Sequence, residues 1–184
     1  MSLARVNDRH DGRLTESELL AQARRGIPAA IGALYVAHGG TLLRLGTRLT
    51  GSASDAEDLL HDLFVGLPEL LSRYEHRSQL DAWLRGVMAR MAIDRLRQQR
   101  RRERLTSTLS AGSRYARSDP WNAVDLDRAI ARLNETTRVV LVLKQIEGYS
   151  HDEIAAMLGI TSGASRVRHL RALRQLRAFL EPHR

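Results

Sequence analysis

The sequence has no cysteine, which excludes disulfides, thiol catalysis and cysteine-ligated zinc. It has a single lysine, Lys144, and four prolines in 184 residues. Aromatics make up only 4%, so the cores must be built from Leu, Val, Ile and Ala. No apolar run approaches the roughly 20 residues of a membrane span. The polar start, Met1 to Arg13, lacks the apolar centre of a signal peptide. Together these absences predict a soluble, cytoplasmic protein with no membrane span. They leave room for one ordinary domain or two small ones.

What is present is helix-forming residues and positive charge. Hydrophobic residues reach 43% with few breakers, a composition that favours helix over sheet. The formal charge is +8 and the pI about 11.0, so a polyanionic partner is the first expectation. Nearly all the cations are arginines, whose planar fork suits phosphate and guanine.

Thr15 and Glu18 form a capping-box pattern that predicts a helix over 15–25. A second helix is predicted over 28–49, with Pro28 in its first turn and a bend at Gly39-Gly40. Ser54 is read as the cap of a third, over 55–74, with a kink or end near Leu67 caused by Pro68. Ser78 and Asp81 form a further capping pair, ahead of a helix carrying Trp83, Leu84, Val87, Met88, Met91, Ile93 and Leu96. Apolar periodicity vanishes from Leu105 to Val124, a stretch of Ser, Thr, Gly and Ala that reads as a linker. Four more helices follow, near 125–133, 135–147, 151–158 and 162–180. The expected fold is all-α: two small helical domains, 14–104 and 125–184, joined by a flexible linker at 105–124.

The most specific motif runs from Gly148 to Ser162. Ser150 and Glu153 form a capping box, Ile154, Ala155 and Leu158 a buried stripe, and Gly159 a left-handed helix end. Ile160 plugs the turn, and Thr161 or Ser162 caps the next helix. Two helices joined this tightly form a helix-turn-helix, whose second helix enters the major groove. That helix bears Arg166, Arg168, Arg171, Arg174 and Arg177. The pattern predicts DNA binding.

Two charge blocks of opposite sign mark the first domain. Asp55, Glu57, Asp58 and Asp62 place four carboxylates in eight residues of a basic chain. They suit a helix N-terminus, and also a basic protein surface. A metal-dependent nuclease site would need a third ligand set that does not accompany them. From Arg85 to Arg104, eight arginines face Asp94 and Glu103, a positive helix suited to phosphates. The polar stretch from Arg73 to Trp83 precedes it, with aromatics at both ends. Phosphates held by arginine beside a pocket for an unstacked base are what single-strand recognition needs. Trp83 and Tyr74 serve there either as stacking platforms or as core anchors.

In this order the parts resemble the bacterial extracytoplasmic-function (ECF) sigma factors, small members of the main sigma family of RNA polymerase. The carriers are 49–52, 55–64, 82–84 and 92–97 in the first domain, and 138–141, 148–159 and 162–164 in the second. The resemblance implies a non-enzymatic, cofactor-free subunit that binds RNA polymerase core and promoter DNA. Asp55, Asp58, His61 and Asp62 would dock on the clamp helices of the polymerase largest subunit. Tyr74, Arg77, Ser78, Trp83, Arg85, Arg90, Arg95 and Arg97 would contact the minus-ten element. Ser162, Ser165, Arg166, Arg168 and Arg171 would contact the minus-thirty-five element, beside the flap of the second subunit. An anti-sigma protein is a further implied partner. His61 stands where the family usually has Gln, Arg90 where it commonly has Asn, and Pro68 where it has an aromatic or small residue. In the recognition helix Ser165 and His169 fall in slots normally apolar, and Val167 and Leu170 in slots that normally face DNA. Either the helix rotates or its base readout is unusual.

Overall fold

Capping signals read from the sequence set several of the helix starts. A computed structural model describes residues 15–75, 79–106 and 123–180, with the backbone alone over 103–106 and 123–125. Helix α1 (Glu16–Arg24) opens on the expected box: Thr15 N–H donates to Glu18 Oε2 at 2.8 Å, and Glu18 N–H to Thr15 Oγ1 at 3.3 Å. Helix α2 (Pro28–Thr50) starts on Pro28 and passes Gly39-Gly40 without a break. It ends on Gly51, whose φ of 75° is a left-handed turn that only glycine adopts at no steric cost.

One local expectation is corrected and another is narrowed to one of its two outcomes. The cap of α3 (Ala53–Val65) is Ser52, which accepts from Asp55 N–H at 3.2 Å, and Ser54 lies inside the first turn. The left-handed Gly51 brings the chain out of α2 early enough for Ser52 to be extended and to cap. Of the kink or end expected near Leu67, the structure shows the end. Gly66 closes α3 by donating to Asp62 O, and Pro68 then sits in the first turn of a new helix, α4 (Leu67–Ser72), where its missing N–H is not needed. The predicted cap Ser78 lies outside the described residues. The long basic helix α5 (Leu80–Thr106) begins beyond it.

Helices α2, α3 and α5 pack together while α1 lies across α4, burying Leu20, Leu42, Leu49, Leu63, Leu67, Leu71, Leu84 and Met88 almost completely. Each such side chain contributes about 1.5–3 kcal/mol on burial. The second bundle contains α6 (Ala123–Arg132), α7 (Glu135–Gln145), α8 (His151–Leu158) and α9 (Ser162–Leu180). Its core is Val140, Val142, Leu143, Ile154, Ala172 and Leu176. Most of the expected linker, 107–122, lies outside the described residues.

The two bundles touch. α2 packs on α6 and α7, and α5 on α8, so their apolar side chains form one continuous cluster. Arg138, on α7, is buried with 7% of its surface exposed. Its Nε donates to Leu49 O at 3.2 Å, Nη2 to Thr50 O at 2.5 Å and Nη1 to Leu133 O at 3.2 Å.

Candidate nucleic-acid and polymerase interfaces

In the second bundle the turn between α8 and α9 is built as its residues require. Ser150 N–H donates to Glu153 Oε2 at 2.7 Å and Glu153 N–H to Ser150 Oγ at 3.2 Å. The Ser150 N–H bond, with the Ser150 hydroxyl beside it, holds the Glu153 carboxyl below its usual range. Gly159 closes α8 at φ 64°. Thr161 caps α9, accepting from Ala164 N–H at 3.1 Å, and Ser162 Oγ donates to the Asp152 carboxylate.

The face of α9 turned to the core carries Ser165, Ala172 and Leu176. The opposite face carries Arg166, Val167, Leu170, Arg171 and Arg174, all exposed. The helix is therefore not rotated, and Ser165 is withdrawn as a minus-thirty-five contact: it is 0% exposed and hydrogen-bonds His151 Nδ1 at 2.9 Å. His169 meets Gln145 Nε2 at 3.2 Å, and the two imidazoles lie 5.5 Å apart. A polar network thus occupies slots expected to be apolar. Partial burial, with Lys144 and Arg166 near His151 and with His151 and Lys144 near His169, holds both imidazoles below their usual pKa.

Half-buried Arg168 joins Arg171, Arg174, Asn134, Thr136 and Thr137 around a cleft of about 450 Å³. Three guanidinium groups beside the first turn of α7 suit a phosphate. Arg166, Arg168, Arg171 and Arg174 bond to no other described residue. Arg174 was legible as part of the arginine row, three residues beyond Arg171, but was not singled out from it.

The first bundle spends its charges differently. Arg95 Nη2 donates to Asp55 Oδ1 at 2.9 Å and Asp58 Oδ2 at 2.8 Å. Partial burial opposes its charge, but the two carboxylates outweigh it and keep the guanidinium protonated. Arg95 thus braces α5 on α3 and is withdrawn from the strand-binding set. Asp55 is half-buried by the same contact, while Glu57, Asp58, His61 and Asp62 remain exposed on the outer face of α3. Tyr74 is also withdrawn: it is 5% exposed, its ring 5.0 Å from the half-buried Trp83. Both aromatics serve as anchors, and Arg24 fastens the chain there by donating to Leu71 O and Tyr74 O, each at 3.1 Å.

Along α5, Arg90 is exposed, with Nε on Gly86 O. Arg85 pairs with Asp81 at 2.9 Å and Glu147 at 3.4 Å. Arg97 donates to Met157 O at 2.6 Å. Arg77 and Ser78 lie outside the described residues. Among the described residues no three His, Asp or Glu side chains converge as a metal site, and no helix is long and apolar enough to cross a membrane.

An exposed acidic face on α3, an arginine-rich helix and a helix-turn-helix thus follow one another along the chain. Residues 34–102 match the sigma-70 region 2 family and residues 123–176 the sigma-70 region 4 family. The chain is 32% identical over 161 residues to the RNA polymerase sigma factor CarQ of Myxococcus xanthus, spanning 85% of this chain and 92% of that one. It is 34% identical over 162 residues to the ECF RNA polymerase sigma factor SigL of Mycobacterium tuberculosis, spanning 83% and 90%. The chain belongs to the ECF sigma factors. It is an RNA polymerase sigma factor acting in transcription initiation.

Its fold is shared with the sigma factor RpoE of Bartonella quintana, solved with the anti-sigma factor NepR. That likeness has a TM-score of 0.57 at 22% identity and covers 83% of this chain and 98% of the other. Within this sigma factor, sequence reasoning missed Arg138 and the carboxylates Asp127, Glu135 and Glu147. All four join the two domains, and their partners lie too far away along the chain for any local spacing to show.

Proposed function

We propose that the two domains, 14–104 and 125–184, divide promoter recognition between them, with 105–124 as the tether. Asp58, His61 and Asp62 form the exposed face that meets the polymerase clamp helices, and Asp55, clasped by Arg95, supports it. Arg85, Arg90 and Arg97, with Arg77, Ser78 and the edge of Trp83, hold the melted minus-ten strand. Base capture offsets an unstacking cost of a few kcal/mol. Arg166, Arg168, Arg171 and Arg174, with Ser162 at the helix start, hold the minus-thirty-five duplex beside the flap of the second subunit. The sigma factor supplies binding selectivity and the polymerase carries the chemistry, so no catalytic role is assigned to it. It works in the cytoplasm and is restrained by an anti-sigma protein.

The observation that carries this reading is the set of uncommitted arginines on the exposed face of α9, at the end of a fully capped helix-turn-helix. Reconstitution with core polymerase, followed by transcript start mapping, tests it. Transcripts from discrete sites with both promoter elements upstream are expected. Tight operator binding without polymerase, and no specific transcripts with it, would instead make the chain a stand-alone regulator.

A further inference from the structure

A lone exposed aliphatic side chain is ordinary, but two within one turn of a cationic helix face call for a partner. Val167 and Leu170 are 47% and 54% exposed on the outer face of α9. Their neighbours on that face are Arg166, Arg171 and Arg174. The core is met from the other side, by Ser165, Ala172 and Leu176, so neither aliphatic serves the packing of the domain. Helical spacing places Gly163 on the same stripe, four residues before Val167 and seven before Leu170. Gly163 is exposed, and a Cβ there would find open space but for Thr161 Oγ1 at 3.9 Å. Nothing within the protein calls for a glycine at that place, and glycine weakens a helix. What it offers is a bare backbone that another body can approach closely.

The charges decide what that body is. Arginines that bond to no other described residue border the stripe, so the partner is polyanionic. Arg168, Arg171 and Arg174 gather on one flank, at the cleft beside the start of α7, where they suit a phosphate backbone. With the backbone held at the flank, the crown of the N-terminal half of α9 faces base edges. The major groove offers one apolar group there, the C5 methyl of thymine. Leu173 and Leu180 lie further along the helix, and Phe179 is already covered by Arg132.

We infer that Val167 and Leu170 are specificity residues that read thymine methyls at two adjacent base pairs of the minus-thirty-five duplex, with Gly163 giving the helix its close approach. This rests on the reading that the outer face of α9 holds that duplex. Residues three apart are separated by about 4.5 Å along a helix, against about 3.4 Å per base pair, which is why the two pairs adjoin. Arginines on phosphates hold every sequence alike, so the aliphatic pair supplies a preference that those charges cannot.

The test uses holoenzyme reconstituted from core polymerase and the full chain: the natural protein, Val167→Ser and Leu170→Ser, with circular dichroism reading helicity. Duplexes with a randomised upstream element are selected for binding, and the natural chain is expected to enrich thymine, on either strand, at two adjacent pairs. Each thymine is then replaced by uracil, which removes only the methyl. Every replacement should weaken the natural holoenzyme about fourfold, the worth of one buried methyl. Val167→Ser should lose that discrimination at one pair and keep it at the other, and Leu170→Ser the reverse. A selected element without thymine, uracil bound as well as thymine, or discrimination that survives in each variant would overturn the inference. So would variants that lose core polymerase while the natural chain treats thymine and uracil alike, which would give the pair to a polymerase surface. Should a variant lose helicity, the uracil replacements with the natural chain decide by themselves. Failure to select any upstream element sinks the proposed role of α9 and the inference with it, whereas an element selected but indifferent to uracil sinks the inference alone.

Discussion

Helices α5 and α9 are both rich in arginine, and the structure uses them in opposite ways. On α5, Arg85, Arg95, Arg97 and Arg100 are committed to carboxylates or to a helix-end carbonyl. On α9, Arg166, Arg168, Arg171 and Arg174 bond to no other described residue. Counting cations along a helix therefore overstates one nucleic-acid face and not the other. A guanidinium already clasped by a carboxylate must give up that bond before it can hold a phosphate.

The sharpest way to break this contrast is to reverse a charge on the uncommitted helix. Arg171→Glu is expected to lower affinity for a promoter duplex bound with polymerase by tenfold or more, about 1.4 kcal/mol or above; an unchanged affinity would mean that the exposed face of α9 does not meet DNA. Gly51→Ala attacks the seat that brings the second domain onto α5. A left-handed φ of 75° and the crowding of Arg138 should together cost about 1–2 kcal/mol in thermal or denaturant unfolding.

Ser165→Ala separates a buried positioning role from DNA contact. Losing the bond to His151 should lower stability by about 1 kcal/mol while duplex affinity stays within roughly twofold, the margin set for a group that touches no DNA. Arg95→Ala should be milder. Its partners are partly solvated, so about 0.5 kcal/mol of stability is expected to go with little change in single-strand binding, whereas a large loss of strand affinity would return Arg95 to the strand face.

The smallest effect is on pH dependence. His151 and His169 have folded pKa values below the usual one, so the unfolded chain binds more protons as the pH drops through the imidazole range. Stability should fall as the pH goes below about 6.5. His169→Gln should flatten that slope in thermal unfolding, and equal slopes would show that the pair contributes nothing.

Several structural instructions that are local were legible. Thr15 with Glu18 and Ser150 with Glu153 each complete within four residues, and Gly159 closes a helix by its own backbone. Ser52 was missed for Ser54 because the choice between them depends on the turn that Gly51 makes first. The helix end near Leu67 was legible from Pro68, but its role as the start of a new helix was not, because the stop at Gly66 has no side chain to announce it. In the candidate site, the exposed cations of α9 followed from helical periodicity. The long-range commitments of Arg95, Arg97 and Arg138 did not, because those partners lie 37 to 89 residues away. Ser165 was counted as a DNA contact although its family position is a buried slot, which here carries a hydroxyl with a histidine to match it.

The cap that Arg138 places on α2 also sets an order of events during synthesis. A ribosome adds about 5–20 residues per second, so Leu49 leaves the peptidyl-transferase centre roughly 4–18 s before the arginine that will complete its helix end. Through that interval the last turn of α2 has only water for its carbonyls. The nascent first domain therefore has its second helix in place well before the residue that completes that helix end has been added.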